Sequence, residues 1–135
     1  MAKILDILFI EDDFIEGMKF NRALSTLELN HKLIEASNGA DALEILRKKQ
    51  TLPDIIFLDL NMPKLNGIKF LKILKNDELL RQIPTIIFTT SNHQKDILEC
   101  YRIGISGYII KPLTYEDYKI VVKKALDYWA VNELI

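Results

Sequence analysis

Continuous apolar runs punctuate this chain at residues 7–10, 55–60, 85–89 and 108–110, each rich in β-branched or aromatic side chains. None alternates as a strand with one wet face does, so they read as central strands of a parallel sheet, covered on both sides. A weaker strand candidate spans 32–36 and leads into the turn-forming pair Asn38-Gly39. Between the runs, apolar positions recur at helical spacing over 15–27, 40–49, 67–76, 93–103 and 114–134. Thr114, with Asp117 three residues on, predicts a helix N-cap with an acid in the first turn, and Gly104 stands where a C-cap is expected. Strict alternation with short connections predicts right-handed βαβ units. The expected fold class is therefore α/β: a doubly wound (βα)5, flavodoxin-like domain with a five-stranded parallel sheet and helices on both faces.

Composition narrows the function classes. A length of 135 residues suits one domain, so residues 1–135 are expected to form a single unit. With 49% hydrophobic and 27% charged residues the chain can build a core without staples. The 18 Lys and Arg nearly balance 19 Asp and Glu, so no net field draws the molecule to nucleic acid or to an anionic membrane, and neither is an expected partner. Cys100 stands alone, which excludes an internal disulfide or a cysteine metal cluster and predicts a buried, inert thiol. No apolar leader and no run of about 18 apolar residues appears, so a cytoplasmic protein is expected. No repeat, low-complexity segment or linker suggests an appended output domain.

The predicted topology brings chemistry together. Glu11, Asp12 and Asp13 follow the first strand, Asp59 ends the third, Thr89 and Thr90 end the fourth and Lys111 follows the fifth. Open α/β sheets bind ligands at the carboxyl ends of strands, beside the point where strand order reverses. Carboxylates from neighbouring strands one and three repel unless a cation neutralises them, and hard oxygen donors favour Mg²⁺. Mg²⁺ takes only one or two protein carboxylates and completes its shell with water and phosphate oxygens, so an incomplete cage implies a phosphoryl ligand. Thr89 and Lys111 offer a hydroxyl and an ammonium to that group, and Asp59 is placed as a carboxylate nucleophile. The rim is that of a phosphoryl-transfer site.

These motifs carry a resemblance. Ile10-Glu11-Asp12-Asp13, Phe57-Leu58-Asp59-Leu60-Asn61-Met62-Pro63 with Asn66-Gly67, Phe88-Thr89-Thr90-Ser91 and Gly107-Tyr108-Ile109-Ile110-Lys111-Pro112 resemble the receiver domain of two-component response regulators, in the family's order and over essentially the whole chain. The chain is similar to single-domain regulators of the chemotaxis or phytochrome-linked type. The resemblance implies a phosphorylation-activated switch, not a turnover enzyme, that receives a phosphoryl group on Asp59 from a histidine kinase or histidine phosphotransfer protein and signals through a downstream protein. It implies that Asp12 and Asp59 bind Mg²⁺, with Glu11 assisting through water and the Asn61 carbonyl as a further ligand. Thr89 would be the switch hydroxyl, Tyr108 the rotating aromatic, Lys111 the phosphate partner and Lys111-Pro112 a cis peptide. Of the three acids in a row, Glu11 and Asp12 are taken as the pair; Asp13 then opens the first helix, or replaces Glu11 if the frame slips by one. Gly104-Ile105-Ser106 departs from the family's smaller residues there, which touches packing and not chemistry.

The alternatives are definite. An aspartyl-nucleophile, Mg²⁺-dependent phosphohydrolase on a similar sheet commonly needs a second acid two residues after the nucleophile, where this chain has Asn61. A binding-only pseudo-receiver would lack an acid, the Thr or the Lys, and all are present. His31 and His93 lack partners at metal spacing and are expected on the surface. Gly39 and Gly67 read as turn or helix-start residues, with no phosphate loop for a nucleotide. In the last segment Tyr118, Val121, Val122, Ala125 and Trp129 form the stripe expected to cover the sheet, and Tyr128, Val131, Leu134 and Ile135 add apolar surface, a possible homodimer face.

Overall fold

A computed structural model describes residues 2–48, 52–62 and 65–134. Lys49, Pro63 and Ile135, which figure in the expectations above, lie outside the described residues. Five strands, β1 (Asp6–Ile10), β2 (Lys32–Ala36), β3 (Ile55–Leu58), β4 (Thr85–Thr89) and β5 (Gly107–Ile110), alternate with five helices. These are α1 (Phe14–Thr26), α2 (Gly39–Lys48), α3 (Gly67–Asn76), α4 (Gln94–Ile103) and α5 (Tyr115–Ala130), with a 3-10 turn at Leu80–Gln82 before β4. The strands form one parallel sheet in the order β2-β1-β3-β4-β5, the doubly wound α/β arrangement expected. Strand order reverses between β1 and β3, so their carboxyl ends face a common crevice.

Alternation along the strands divides the core. Leu8, Ile10, Ile56, Leu58 and Ile87 pack under α2, α3 and α4, while Ile7, Phe9, Ile55, Phe57, Ile86 and Phe88 pack under α1 and α5. In the second layer Phe9, Phe20, Phe57, Phe88 and Tyr118 form a chain of ring contacts with centroids 4.3–6.4 Å apart. Fully burying each such ring stabilises the fold by roughly 1.5–3 kcal/mol, and truncating one leaves a cavity. Cys100 is buried as expected, and burial together with Asp96 and Glu99 pushes its thiol up to about 11.

Helix ends follow the local chemistry. Asp13 caps α1 by accepting the Ile15 N–H at 2.9 Å, Asn66 caps α3 from the Lys69 N–H, and Thr114 caps α5 from the Asp117 N–H. Gly104 closes α4 at φ 124°, a conformation side chains resist. Gly67 opens α3 against β3: a Cβ there would lie 2.5 Å from the Asp59 carbonyl oxygen.

Three expectations are corrected. The third strand stops at Leu58, because Leu60 turns to accept the Gly67 N–H at the start of α3. The fifth helix ends at Ala130 and not Leu134, its last turn tightened by Val131 and Asn132 N–H groups on the Tyr128 and Trp129 carbonyls. Its core stripe is Tyr118, Val122, Leu126 and Ala130; Val121, Ala125 and Trp129 pack on the flank. A four-residue step starting from Tyr118, whose ring meets Phe88, keeps that row on the buried side, a choice the apolar spacing alone did not make. Tyr128 and Val131 are exposed, as expected.

Candidate functional site

The carboxyl ends of β1, β3, β4 and β5 deliver Glu11, Asp59, Thr89 and Lys111 to one rim. Backbone bonds fix each: Glu11 N–H donates to Ala36 at 3.0 Å, Asp59 N–H to Ile10 at 3.1 Å and Lys111 N–H to Thr89 at 2.7 Å. The side chains are thus aimed by the sheet and not by flexible loops. Asp59 is 6% exposed and Thr89 fully buried, while Asn61 is exposed in the loop beyond Asp59.

Glu11, Asp12 and Asp59 each bring a carboxylate oxygen within 4.8 Å of the others. Three acids this close are electrostatically costly. Burial, with the Asp59 charge, pushes the Glu11 carboxyl up to about 7 against the opposing pull of Lys111. Asp59 is raised too, first by burial and further by Asp12, with Lys111 and the Thr89 hydroxyl pulling it back. A cluster of hard oxygen donors that resists its own ionisation fits a divalent cation. Asp13, the alternative to Glu11, caps α1 instead and does not join the cluster.

The Lys111 side chain is 5% exposed and its ammonium lies 3.1 Å from Glu11 Oε2 and 3.5 Å from Glu16 Oε1, above the face of Phe88. Sequence reasoning missed Glu16. No sequence spacing marks it, since Asp12 precedes the helix and Glu16 lies in its first turn, where an acid reads as a response to the helix dipole. The Thr89 hydroxyl accepts the Ser91 N–H at 3.4 Å, and the half-buried Tyr108 donates its hydroxyl to the Ser91 carbonyl at 2.8 Å.

Two expectations fail, the first wholly and the second in part. Lys111-Pro112 is trans, since no peptide bond among the described residues is cis; trans is favoured even before proline, by about 0.5–1 kcal/mol. His93 is exposed, but His31 is half-buried, its Nδ1 accepting the Leu5 N–H at 3.0 Å far from the rim.

A parallel sheet with acids after β1 and β3, a hydroxyl at the end of β4 and a lysine after β5 defines a receiver. The chain belongs to the response regulator receiver domain family, whose model matches residues 7–123. It is 35% identical over 127 residues to the probable methanogenesis regulatory protein FilR2 of Methanothrix harundinacea, covering 91% of this chain and 82% of that one. It is 28% identical to response regulator Rcp1 of Synechocystis sp., covering 91% and 87%. Among solved structures, the phosphorylated cyanobacterial phytochrome response regulator RcpA superposes with a TM-score of 0.90 at 28% identity, covering 98% of this chain and 99% of that one. The Mn²⁺-bound form of Rcp1 does so at 0.88 with 27% identity, covering 97% and 99%. Receiver domains are in general signalling switches that interact with histidine kinases or phosphotransfer proteins. Among the described residues, no helix is long and apolar enough to cross a membrane.

Proposed function

We propose that this chain is a receiver whose Asp59 accepts a phosphoryl group in a Mg²⁺-dependent reaction and which signals through protein contact. The observation that carries the reading is the convergence of Glu11, Asp12 and Asp59 within 4.8 Å, with Lys111 and Thr89 beside them. Glu11, Asp12 and Asp59 would hold the metal, with the Asn61 carbonyl beside them. When bound, it neutralises the carboxylates and the charge on the phosphoryl oxygens.

An Asp59 carboxylate oxygen attacks phosphorus in line, the bond from phosphorus to the donor's imidazole nitrogen breaks, and that nitrogen keeps the electron pair. Lys111 exchanges part of its pairing with Glu11 for a phosphoryl oxygen, and Thr89 offers its hydroxyl to another. Drawing Thr89 inward opens the space that Tyr108 enters after releasing the Ser91 carbonyl. The exposed face of α4, β5 and α5, with Tyr101, Ile110 and Leu113 on it, then changes shape for a partner. Water later attacks phosphorus, restoring the Asp59 carboxylate and releasing inorganic phosphate. The polar Asn61 in place of an acid argues against a general phosphohydrolase.

Intact-mass measurement after incubation with Mg²⁺ and acetyl phosphate tests the assignment. One acid-stable, base-labile phosphoryl adduct is expected, absent in Asp59→Asn. An adduct that survives Asp59→Asn, or rapid turnover of many phosphate esters, overturns it.

A further inference from the structure

Glu16 has no part in the scheme above, yet it is tied to the rim through Lys111. It lies in the first turn of α1, and its Oε1 sits 3.5 Å from the Lys111 ammonium, with only 18% of the side chain exposed. Its Oε2 is buried without a hydrogen-bond partner, the Lys19 ammonium standing off at 3.8 Å. Lys19 in turn lies over the Tyr118 ring, 4.5 Å from its centroid, and the Tyr118 hydroxyl is likewise buried and unpartnered. A half-satisfied carboxylate in such surroundings is costly, so its tie to Lys111 is one of the few contacts that compensates it.

We infer that Glu16 is a positioning residue: with Glu11 it holds the Lys111 ammonium on the α1 side of the pocket, and the phosphoryl group must take Lys111 from it. The inference rests on the reading of Asp59 as phosphoacceptor. When Lys111 turns to phosphoryl oxygens, Glu16 loses a counterion and falls to Lys19 and the Tyr118 hydroxyl, which links the pocket to the packing of α1 against α5. Glu16 therefore favours the unphosphorylated state. It contributes nothing to the cation's own shell, since it is not among the acids whose carboxylate oxygens converge there.

Calorimetric titration of Mg²⁺ alone, and then of beryllofluoride at saturating Mg²⁺, separates these effects. Glu16→Gln is expected to bind beryllofluoride about threefold to tenfold more tightly than the unaltered protein, the scale of one partly screened ion pair. Mg²⁺ alone should bind no more tightly. Glu16→Met, close in length and without charge, should show the same gain and serves if the Gln variant folds poorly. Glu35→Gln removes a charge beside the same rim, where Glu35 lines a cleft with Glu11 and Asp12 but does not touch Lys111. It should leave beryllofluoride affinity unchanged. An equal gain in Glu35→Gln, or no gain in either Glu16 variant, overturns the role of Glu16 while leaving Asp59 in place. If the unaltered protein itself binds no beryllofluoride, the phosphoacceptor reading falls, and the role of Glu16 falls with it.

Discussion

At the residue scale, Glu11 carries two opposed demands. It is the ion-pair partner of Lys111 and a member of the cation cluster, and burial lifts its carboxyl to about 7. A cation must displace the proton that burial favours. The expected outcome is a Mg²⁺ affinity that is nearly level above pH 7 and weakens below it, by up to about tenfold per pH unit for one displaced proton. Removing the Lys111 charge takes away the pull that lowers Glu11, so Lys111→Met should carry this midpoint upward. Calorimetric titration of Mg²⁺ at a series of pH values checks both; an unshifted midpoint in Lys111→Met would mean that the ion pair is not formed in solution. The rim positions of Asp59, Thr89 and Lys111 were legible because each stands within or just beyond the end of a continuous apolar run, which announces a strand end. Glu16 was not. A lone acid in a first helical turn reads as a response to the helix dipole, and only the placement of β5 beyond β4 brings Lys111 over it.

At the element scale, two glycines do different work and should fail differently. A Cβ on Gly67 would sit 2.5 Å from the Asp59 carbonyl oxygen and 2.6 Å from Leu60 Cα, so α3 cannot keep its place without shifting the very segment that carries Asp59. At Gly104 there is open space, but φ is 124°. Gly67→Ala is expected to cost about 1–3 kcal/mol and to slow phosphorylation, because overpacking here displaces the nucleophile. Gly104→Ala is expected to cost about 1–2 kcal/mol with phosphorylation intact, because its strain is local to the α4 cap. Denaturant unfolding paired with acetyl-phosphate labelling reads both quantities; equal labelling rates in the two variants would refute the coupling of α3 to Asp59. The sequence marked both glycines correctly as helix punctuation, and it located β2, β4 and α3 to the residue. It misjudged α5, whose length offers apolar residues on more than one face. The row that turns inward packs into one cluster with Phe9, Phe20, Phe57 and Phe88, which come from distant parts of the chain.

At the scale of the whole molecule, the two ends of the sheet respond to acid in opposite senses. At the carboxyl-end rim, Glu11 and Asp59 are raised above their ordinary values, so the folded protein binds more protons than the unfolded chain. Stability from these groups is present at low pH and is lost as pH rises, for Glu11 between 4.5 and about 7. At the amino-end rim, His31 Nδ1 must stay unprotonated to accept the Leu5 N–H, and burial lowers it below 6.5 in spite of the Asp127 charge. Here the unfolded chain binds more protons, so stability is full above 6.5 and declines as pH falls from there toward the folded value. Below pH 6.5, where both groups change protonation, the two slopes oppose, and the metal-free protein should show a flatter stability profile there than either group alone would give. Glu11→Gln removes one raised acid and should expose a decline in stability toward acid, whereas His31→Gln should leave stability rising toward acid over the same range. Saturating Mg²⁺ should act like Glu11→Gln in sign, because a bound cation favours the ionised carboxylates and reverses their contribution. Urea unfolding at pH 5.0, 6.0 and 7.0, roughly spanning the two ranges, reads all of this directly. Parallel profiles in the unaltered protein and both variants would show that neither group differs in protonation between the folded and unfolded states.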